Sequence, residues 1–217
     1  MSGRSERASG PMRGPAPGLW PGLVLIALAL ALGIAARLSG HLPGDVEALQ
    51  AFGRARGSAG LHAPGLWLVV TGLGDWPARV AVALAAAALL VRRHRRRAAL
   101  VMLLTLLVQT LANSALKWAF GRPRPDLFAH LDHVSDLSYP SGHAAQTACV
   151  WLLAALLVDR RLAWAGVPLV VAVGVSRVAL GVHWPSDVLG GWLVGAGWAL
   201  IGWHMAMRPG MGVGRWN

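Results

Sequence analysis

Residues 98–119 read AALVMLLTLLVQTLANSALKWA, a run of 22 residues with one charged side chain, Lys117. A helix needs about 20 mostly apolar residues to cross the hydrocarbon core of a bilayer, so this stretch predicts a membrane-spanning helix. The whole chain is similar: of its 217 residues 55% are hydrophobic and 13% charged, and the mean hydropathy is +0.52. Soluble domains carry about 25% charged residues, so the composition predicts an integral membrane protein.

Further apolar runs lie on both sides of this one. The predicted spans cover residues 19–36, 77–91, 98–119, 142–158, 162–180 and 187–206. The second is short and borrows residues 65–76, with a bend at Gly72, Gly74 and Pro77. We therefore predict an all-α, polytopic membrane protein. Its six-transmembrane-helix bundle occupies residues 19–207, between a disordered tail at 1–18 and a short tail at 208–217.

The first apolar run has a second interpretation. It follows three arginines and is followed by small residues, as in a cleaved signal peptide. Removing it would leave five spans and place the two termini on opposite sides, so an uncleaved first span fits better. Six spans place both termini on the same side.

The net charge of +11 is distributed unevenly over the predicted loops. One side holds twelve basic and two acidic residues, including five arginines between positions 92 and 97, and the rest of the chain holds eight basic and seven acidic residues. Cytoplasmic loops carry the excess of arginine and lysine. We therefore expect a multi-pass protein of the inner (plasma) membrane with cytoplasmic termini, and no nucleic-acid partner.

Three smaller features concern packing. Val46, Leu49 and Phe52 have near-helical spacing within residues 44–58, which fits a helix on the outer membrane surface or, preferably, one packed on the bundle. The spacing of Gly191 and Gly195 indicates close helix packing, either within the bundle or in a homodimer. The single cysteine, Cys149, lies in an apolar run and excludes a disulfide framework.

A polar stripe follows the third span, with one side chain every four residues: Thr105, Gln109, Asn113 and Lys117. Interhelical hydrogen bonds explain the first three. They do not explain Lys117, since a cation at that depth needs an anionic partner. Pro123 and Pro125 end the helix and stiffen the backbone around Arg124, and Arg122 is expected to point towards lipid headgroups.

Three more polar stretches lie at predicted outward helix ends. Ser141, Gly142 and His143 open the fourth span, where free backbone N–H groups favour an anion. Arg177 lies near the end of the fifth span. His183 and Asp187 precede the sixth, four residues apart, so that the carboxylate can orient the imidazole. A capped helix, a snorkelling arginine and a capping pair explain each stretch separately.

Taken together, these stretches place three cations, a helix N-terminus and two histidines on the same side of the membrane. Cations and N–H donors suit a dianionic group with charge on three oxygens. Two histidines, one held by a carboxylate, suit a nucleophile and a general acid. The pattern predicts phosphoryl transfer through a covalent phosphohistidine, without a metal or other cofactor.

The motifs resemble those of the type 2 phosphatidic acid phosphatase superfamily, which includes vanadium haloperoxidases and glucose-6-phosphatase-like enzymes. Its pattern is K-x6-R-P, then P-S-G-H, then S-R-x5-H-x3-D. The chain matches each position between residues 117 and 187: Lys117, Arg124 and Pro125, then Pro140, Ser141, Gly142 and His143, then Ser176, Arg177, His183 and Asp187.

The resemblance implies a role for each residue. His183 attacks phosphorus, Asp187 orients it, and His143 protonates the leaving oxygen and later activates water. The phosphoryl oxygens are held by the remaining motif residues: Lys117, Arg124, Ser141, Gly142 and Arg177. The resemblance also implies that phosphatase activity needs no metal.

The expected substrate is a lipid phosphate or diphosphate at headgroup depth on the periplasmic face. The candidates that the family suggests are undecaprenyl diphosphate, which we favour, phosphatidylglycerophosphate, phosphatidic acid and lipid A. Three alternatives stay open: a lipid phosphotransferase with the same phosphohistidine, a non-catalytic anion-binding protein, and an intramembrane serine protease with Ser141 as nucleophile.

The loop with His130, His133 and Asp136 has metal-like residues, but solvated side chains explain it better than a metal site.

Overall fold

The computed structural model describes residues 18–55, 64–134 and 137–208. Over these ranges the chain folds into eight helices without a strand. In chain order they are α1 (Trp20–Ser39), α2 (Asp45–Ala55), α3 (Pro64–Gly72), α4 (Trp76–Arg92), α5 (Arg96–Phe120), α6 (Gly142–Leu157), α7 (Leu162–Ala179) and α8 (Pro185–Met207). The expected all-α membrane fold is confirmed. The predicted tails at 1–18 and 208–217, residues 56–63 and the Ser135–Asp136 pair lie wholly or almost wholly outside the described residues.

The described helices include five segments long and apolar enough to cross a membrane. These are α1, the α3–α4 pair taken together, α5, α7 and α8. The fourth predicted span, α6, is apolar but only 16 residues long, which corresponds to about 24 Å. Its length falls short of the usual span, and α6 lies mostly buried among the other helices.

The second predicted span is divided by a turn. Leu73, Gly74 and Asp75 separate α3 from α4, and Pro77 stands in the first turn of α4. A Cβ atom on Gly74 would meet a Val173 methyl carbon at 2.5 Å, so only glycine lets this turn approach α7. The turn leaves Asp75 at the start of α4, beside the polar end of the bundle.

Close packing of α6 against α8 depends on glycines. A Cβ atom on Gly191 would lie 2.6 Å from the carbonyl oxygen of Ser141, and one on Gly195 would overlap the carbonyl oxygen of Ala145. The two helices are among the most closely associated in the bundle. The Gly191 and Gly195 spacing therefore serves a contact inside this chain, which was one of its two predicted explanations.

The helix α2 packs on the bundle, as preferred from the sequence. Leu49 is 1% exposed and joins a cluster with Ala144, Val178, Trp184 and Val188, and Val46 and Phe52 pack against the same cluster. The α2 segment thereby covers the C-terminal end of α7 and the N-terminal end of α8.

Arginines of the turn between α4 and α5 lie at the other end of the bundle. Arg93 and Arg95 donate to the carbonyl oxygens of Val158 and Leu157 at the end of α6. Arg97 donates to the carbonyl oxygens of Met205 and Arg208 at the end of α8. Cations suit the negative ends of helices, so these arginines cap two helix C-termini as well as contributing to the charge asymmetry.

Candidate active site

The four polar stretches of the sequence come together at the end of the bundle opposite this arginine-rich turn. The C-terminal ends of α5 and α7 meet the N-terminal ends of α6 and α8 there, and the loop of residues 121–141 lies over them. The described part of this loop is held by backbone bonds from Leu131 to Leu180 and from Ser138 to Arg122.

His183 and Asp187 form a pair at the start of α8. Nδ1 of His183 lies 3.4 Å from Oδ2 of Asp187, and both side chains are at most 2% exposed. The same oxygen accepts hydrogen bonds from the Trp184 backbone N–H at 2.8 Å and from the Ser138 hydroxyl. A carboxylate beside Nδ1 leaves the lone pair on Nε2. Sequence reasoning missed Ser138, which lies 49 residues from its partner.

Nε2 of His183 faces the cationic part of the site. NH1 of Arg124 lies 3.2 Å from it and also donates to the Val182 carbonyl oxygen at 2.5 Å. Burial lowers the pKa of His183 well below its usual value, and the positive charges of Arg124 and Lys117 lower it further. A neutral imidazole with an available lone pair is the form that a nucleophile requires.

Lys117 and Arg124 lie side by side, although Lys117 is in the last turn of α5 and Arg124 comes after the helix has ended. Nζ of Lys117 and NH2 of Arg124 both donate to the carbonyl oxygen of Leu137. Gly121, with φ at +55°, ends α5 in a left-handed conformation and turns the chain back towards Arg124. The predicted cation pair is thus next to His183.

Arg177 extends from α7 into the same region and is 2% exposed. Its NH1 donates to Thr71 Oγ1 at 2.7 Å and to Asp132 Oδ2 at 2.6 Å. Among the described residues its Nε has no hydrogen-bond partner, and neither does the buried hydroxyl of Ser141 at the N-terminus of α6. Two unpaired donors in a cationic pocket fit an oxyanion.

His143, in the first turn of α6, contacts an acidic residue that sequence reasoning overlooked. Its Nε2 lies 2.8 Å from Oδ1 of Asp75, which is about half exposed. Asp75 belongs to the turn before α4, 68 residues away. No local signal in the sequence connects the two, and the partnership arises from the packing of α4 against α6.

Two expectations about the third span are wrong. Arg122 is 2% exposed and ion-paired, so it does not point towards lipid headgroups. The polar stripe is buried as expected, but both polar atoms of the Gln109 side chain and Oδ1 of Asn113 have no hydrogen-bond partner among the described residues. For these atoms the described structure shows no interhelical hydrogen bond.

The loop with metal-like residues exposes both of its histidines, as expected for solvated side chains, whereas Asp132 has a partner in the site. Asp132 pairs with Arg177, and His130 Nε2 lies 2.7 Å from the carbonyl oxygen of Pro125. His133 is exposed, and Asp136 lies outside the described residues. Within the described ranges, no group of three potential ligands is placed to hold a metal ion.

Several known proteins that this chain resembles are phosphatases by name. The chain is 44% identical over 96 residues to phosphatidylglycerophosphatase B of Bacillus subtilis, which is 39% of this chain and 46% of that protein. It is 35% identical over 100 residues to undecaprenyl-diphosphatase of Sulfolobus acidocaldarius, 42% of this chain and 47% of the relative. A lipid A 1-phosphatase of Rhizobium johnstonii is 34% identical over 107 residues, 45% and 43% of the two chains. The chain spans about half the length of the curated relatives it matches.

A solved structure resembles the whole bundle. The transmembrane PAP2-type phosphatidylglycerolphosphate phosphatase of Bacillus subtilis superposes with a TM-score of 0.68 and 28% identity. The match covers 84% of this chain and 92% of the other. In addition, the family model of the PAP2 superfamily matches residues 98–210, slightly more than half of the chain, including every motif residue described above. The chain belongs to the PAP2 superfamily.

Proposed function

We propose that the protein is a membrane lipid phosphatase that hydrolyses a lipid phosphate or diphosphate through a covalent phosphohistidine. The observation that carries the proposal is the arrangement at His183. A carboxylate contacts one ring nitrogen, and the guanidinium of Arg124 lies 3.2 Å from the other. The relatives named above act on different lipid phosphates, which supports the reaction class more than any one substrate.

In the first step, Nε2 of His183 attacks phosphorus while the bond to the leaving oxygen breaks. Asp187 accepts the Nδ1–H and stabilises the imidazolium character that develops. Lys117, Arg124 and Arg177 balance the charge on the phosphoryl oxygens. His143 gives its proton to the leaving oxygen, so that the lipid departs as an alcohol, or as a lipid monophosphate with that oxygen protonated.

In the second step, water replaces the histidine. His143 now lacks the proton and takes one from the attacking water, the N–P bond breaks, and inorganic phosphate leaves with the enzyme restored. Asp75, in contact with His143, is placed to hold the ring in position during both proton transfers. The proposed reaction uses protein side chains alone and no metal.

A lipid panel tests the proposal. The purified protein is assayed for released phosphate on undecaprenyl diphosphate, our favoured substrate, phosphatidylglycerophosphate, phosphatidic acid and lipid A, with chelator present. We expect turnover of at least one lipid, its loss in His183→Ala, and its retention in His133→Ala, the exposed control histidine. Background release throughout the panel would refute phosphatase activity. A phosphorylated acceptor lipid in the product mass spectrum would instead identify a transferase.

We also propose that the site faces the outside of the inner membrane, with both termini in the cytoplasm. The arginine-rich turn at residues 92–97 supports this orientation through the positive-inside rule. Cys149 is fully buried, so the natural chain gives little background in thiol labelling. With a membrane-impermeant maleimide on intact cells, His133→Cys is expected to label and Arg160→Cys to stay unlabelled until lysis, and the reverse pattern would overturn the orientation.

A further inference from the structure

A buried ion network lies directly behind the catalytic pair. Arg122, in the turn after α5, is 2% exposed and bonded on every side. Its NH1 contacts Oδ1 of Asp187 at 2.5 Å, and its NH2 contacts Oδ2 of Asp45 at 2.9 Å. Its guanidinium carbon also lies 5.5 Å from the centre of the Trp184 ring. The guanidinium thus bridges two carboxylates that are 142 residues apart in sequence.

Asp45, at the start of α2, is the second carboxylate of this network. It is 1% exposed. Its Oδ1 accepts the Ser186 backbone N–H at 2.9 Å, and its Oδ2 accepts the Ser186 hydroxyl at 2.6 Å and the Leu42 backbone N–H at 2.9 Å. The bonds to Ser186 fix the residue immediately before Asp187, so Asp45 holds both the start of α8 and the guanidinium.

The two oxygens of Asp187 therefore serve different partners. Oδ2 lies towards His183, and Oδ1 is held by Arg122. We propose that Arg122, held in place by Asp45, is a positioning residue that keeps Asp187 ionised and aimed at His183. The proposal rests on the proposed function, and it adds a residue outside the phosphate-binding set.

Charge balance explains why the network matters. A buried carboxylate is stable as an anion only when it is paired and hydrogen-bonded. Without Arg122, the carboxylates of Asp187 and Asp45 would be two buried negative charges with no cation between them. Asp187 would then take a proton or turn away, and in either case His183 would lose its acceptor. Arg122 bonds protein groups on all sides, so its loss should lower kcat and leave KM nearly unchanged.

A double-mutant cycle tests this role on the lipid with the highest kcat/KM for the wild type. The single variants are Arg122→Gln, Arg122→Lys, Asp45→Asn and Asp187→Asn. The two double variants combine Asp187→Asn with Arg122→Gln or with Asp45→Asn. Arg54→Gln, exposed on α2, is the control. Thermal unfolding in detergent identifies variants that do not fold.

We expect Arg122→Gln to lower kcat about 10- to 100-fold, as loss of a supporting partner typically does, with KM within about threefold. Arg122→Lys, which keeps the charge, should lie between Gln and the wild type, and Asp45→Asn should show a smaller loss in kcat. In the Asp187→Asn background neither substitution should reduce kcat further, because both act through Asp187.

Equal losses in the two backgrounds, a change in KM with kcat preserved, or wild-type kinetics in Arg122→Gln would each overturn the proposal. If Arg122→Gln does not fold, the Asp45→Asn arm decides by the same comparison. These results differ from failure of the proposed function, in which the wild type itself releases no phosphate and no cycle can be constructed.

Discussion

Nδ1 of His183 lies 3.4 Å from Oδ2 of Asp187, four residues further along the chain. Asp187→Asn keeps the size of the side chain and removes the charge that we propose orients and stabilises the imidazole. We expect kcat to fall by about 10³- to 10⁴-fold, as for the corresponding change in a serine protease triad. Phosphate-release kinetics measure this loss. Similar kcat values for Asp187→Asn and the wild type would contradict the assigned role.

The acid limit of activity should follow His183. Burial and the charges of Arg124 and Lys117 lower the pKa of this imidazole, so it stays neutral at neutral pH and loses its lone pair only as pH falls through the lowered pKa. The acid limb of the kcat/KM profile that belongs to the enzyme should therefore lie below about pH 6.5, the ordinary pKa of histidine.

The variant Lys117→Met tests the cause of this shift. Removing a neighbouring cation raises the pKa of His183, so the acid limb should move to higher pH. Wild type and variant are compared on one lipid, which makes the ionisation of the substrate common to both profiles, and Arg54→Gln serves as control. An unmoved limb would show that Lys117 does not act on His183.

His143 should matter most when the leaving group needs a proton. With p-nitrophenyl phosphate, whose phenolate leaves without help, His143→Ala should still form the phosphoenzyme and show a burst of product before slow hydrolysis. With a lipid phosphate, phosphoenzyme formation itself should be slow. Rapid-quench assays on radiolabelled phosphate measure both. Equal impairment of the first step on the two substrates would exclude His143 as the general acid.

The unpaired hydroxyl of Ser141 should bind a phosphoryl oxygen. Orthovanadate imitates a five-coordinate phosphorus, and a hydrogen bond to a charged group contributes about 1.5–3 kcal/mol. We expect Ser141→Ala to weaken vanadate inhibition by about tenfold or more. Ser114→Ala, an exposed hydroxyl on α5, is the matched control and should not differ from wild type. Equal inhibition constants for all three proteins would remove Ser141 from the site.

Glycine at 195 should be required for stability and not for chemistry. A methyl group there would overlap the carbonyl oxygen of Ala145 and force α6 away from α8. Overpacking of this kind costs about 1–3 kcal/mol, so Gly195→Ala should lower Tm. Gly65→Ala is the control, because a Cβ atom at that position meets nothing within 4 Å. A Tm for Gly195→Ala equal to that of the control would contradict the packing.

The sequence alone determined features that depend on neighbours along the chain. Apolar runs long enough to cross a bilayer located the helices to within a few residues, because burial in lipid needs length and apolarity only. The contact between His183 and Asp187 followed from their spacing of four residues at the start of a helix. The shared location of the polar stretches followed from alternation of helix direction across a membrane, which returns every second loop to the same side.

Only the tertiary structure decided which distant charges became partners. Asp75 beside His143, Asp132 on Arg177, and Asp45 on Arg122 are separated by 68, 45 and 77 residues. In the sequence these carboxylates resemble ordinary loop residues. Each becomes a partner because helices packed through glycine and alanine bring loop ends within bonding distance, and a cation removed from water must then accept whichever anion lies there.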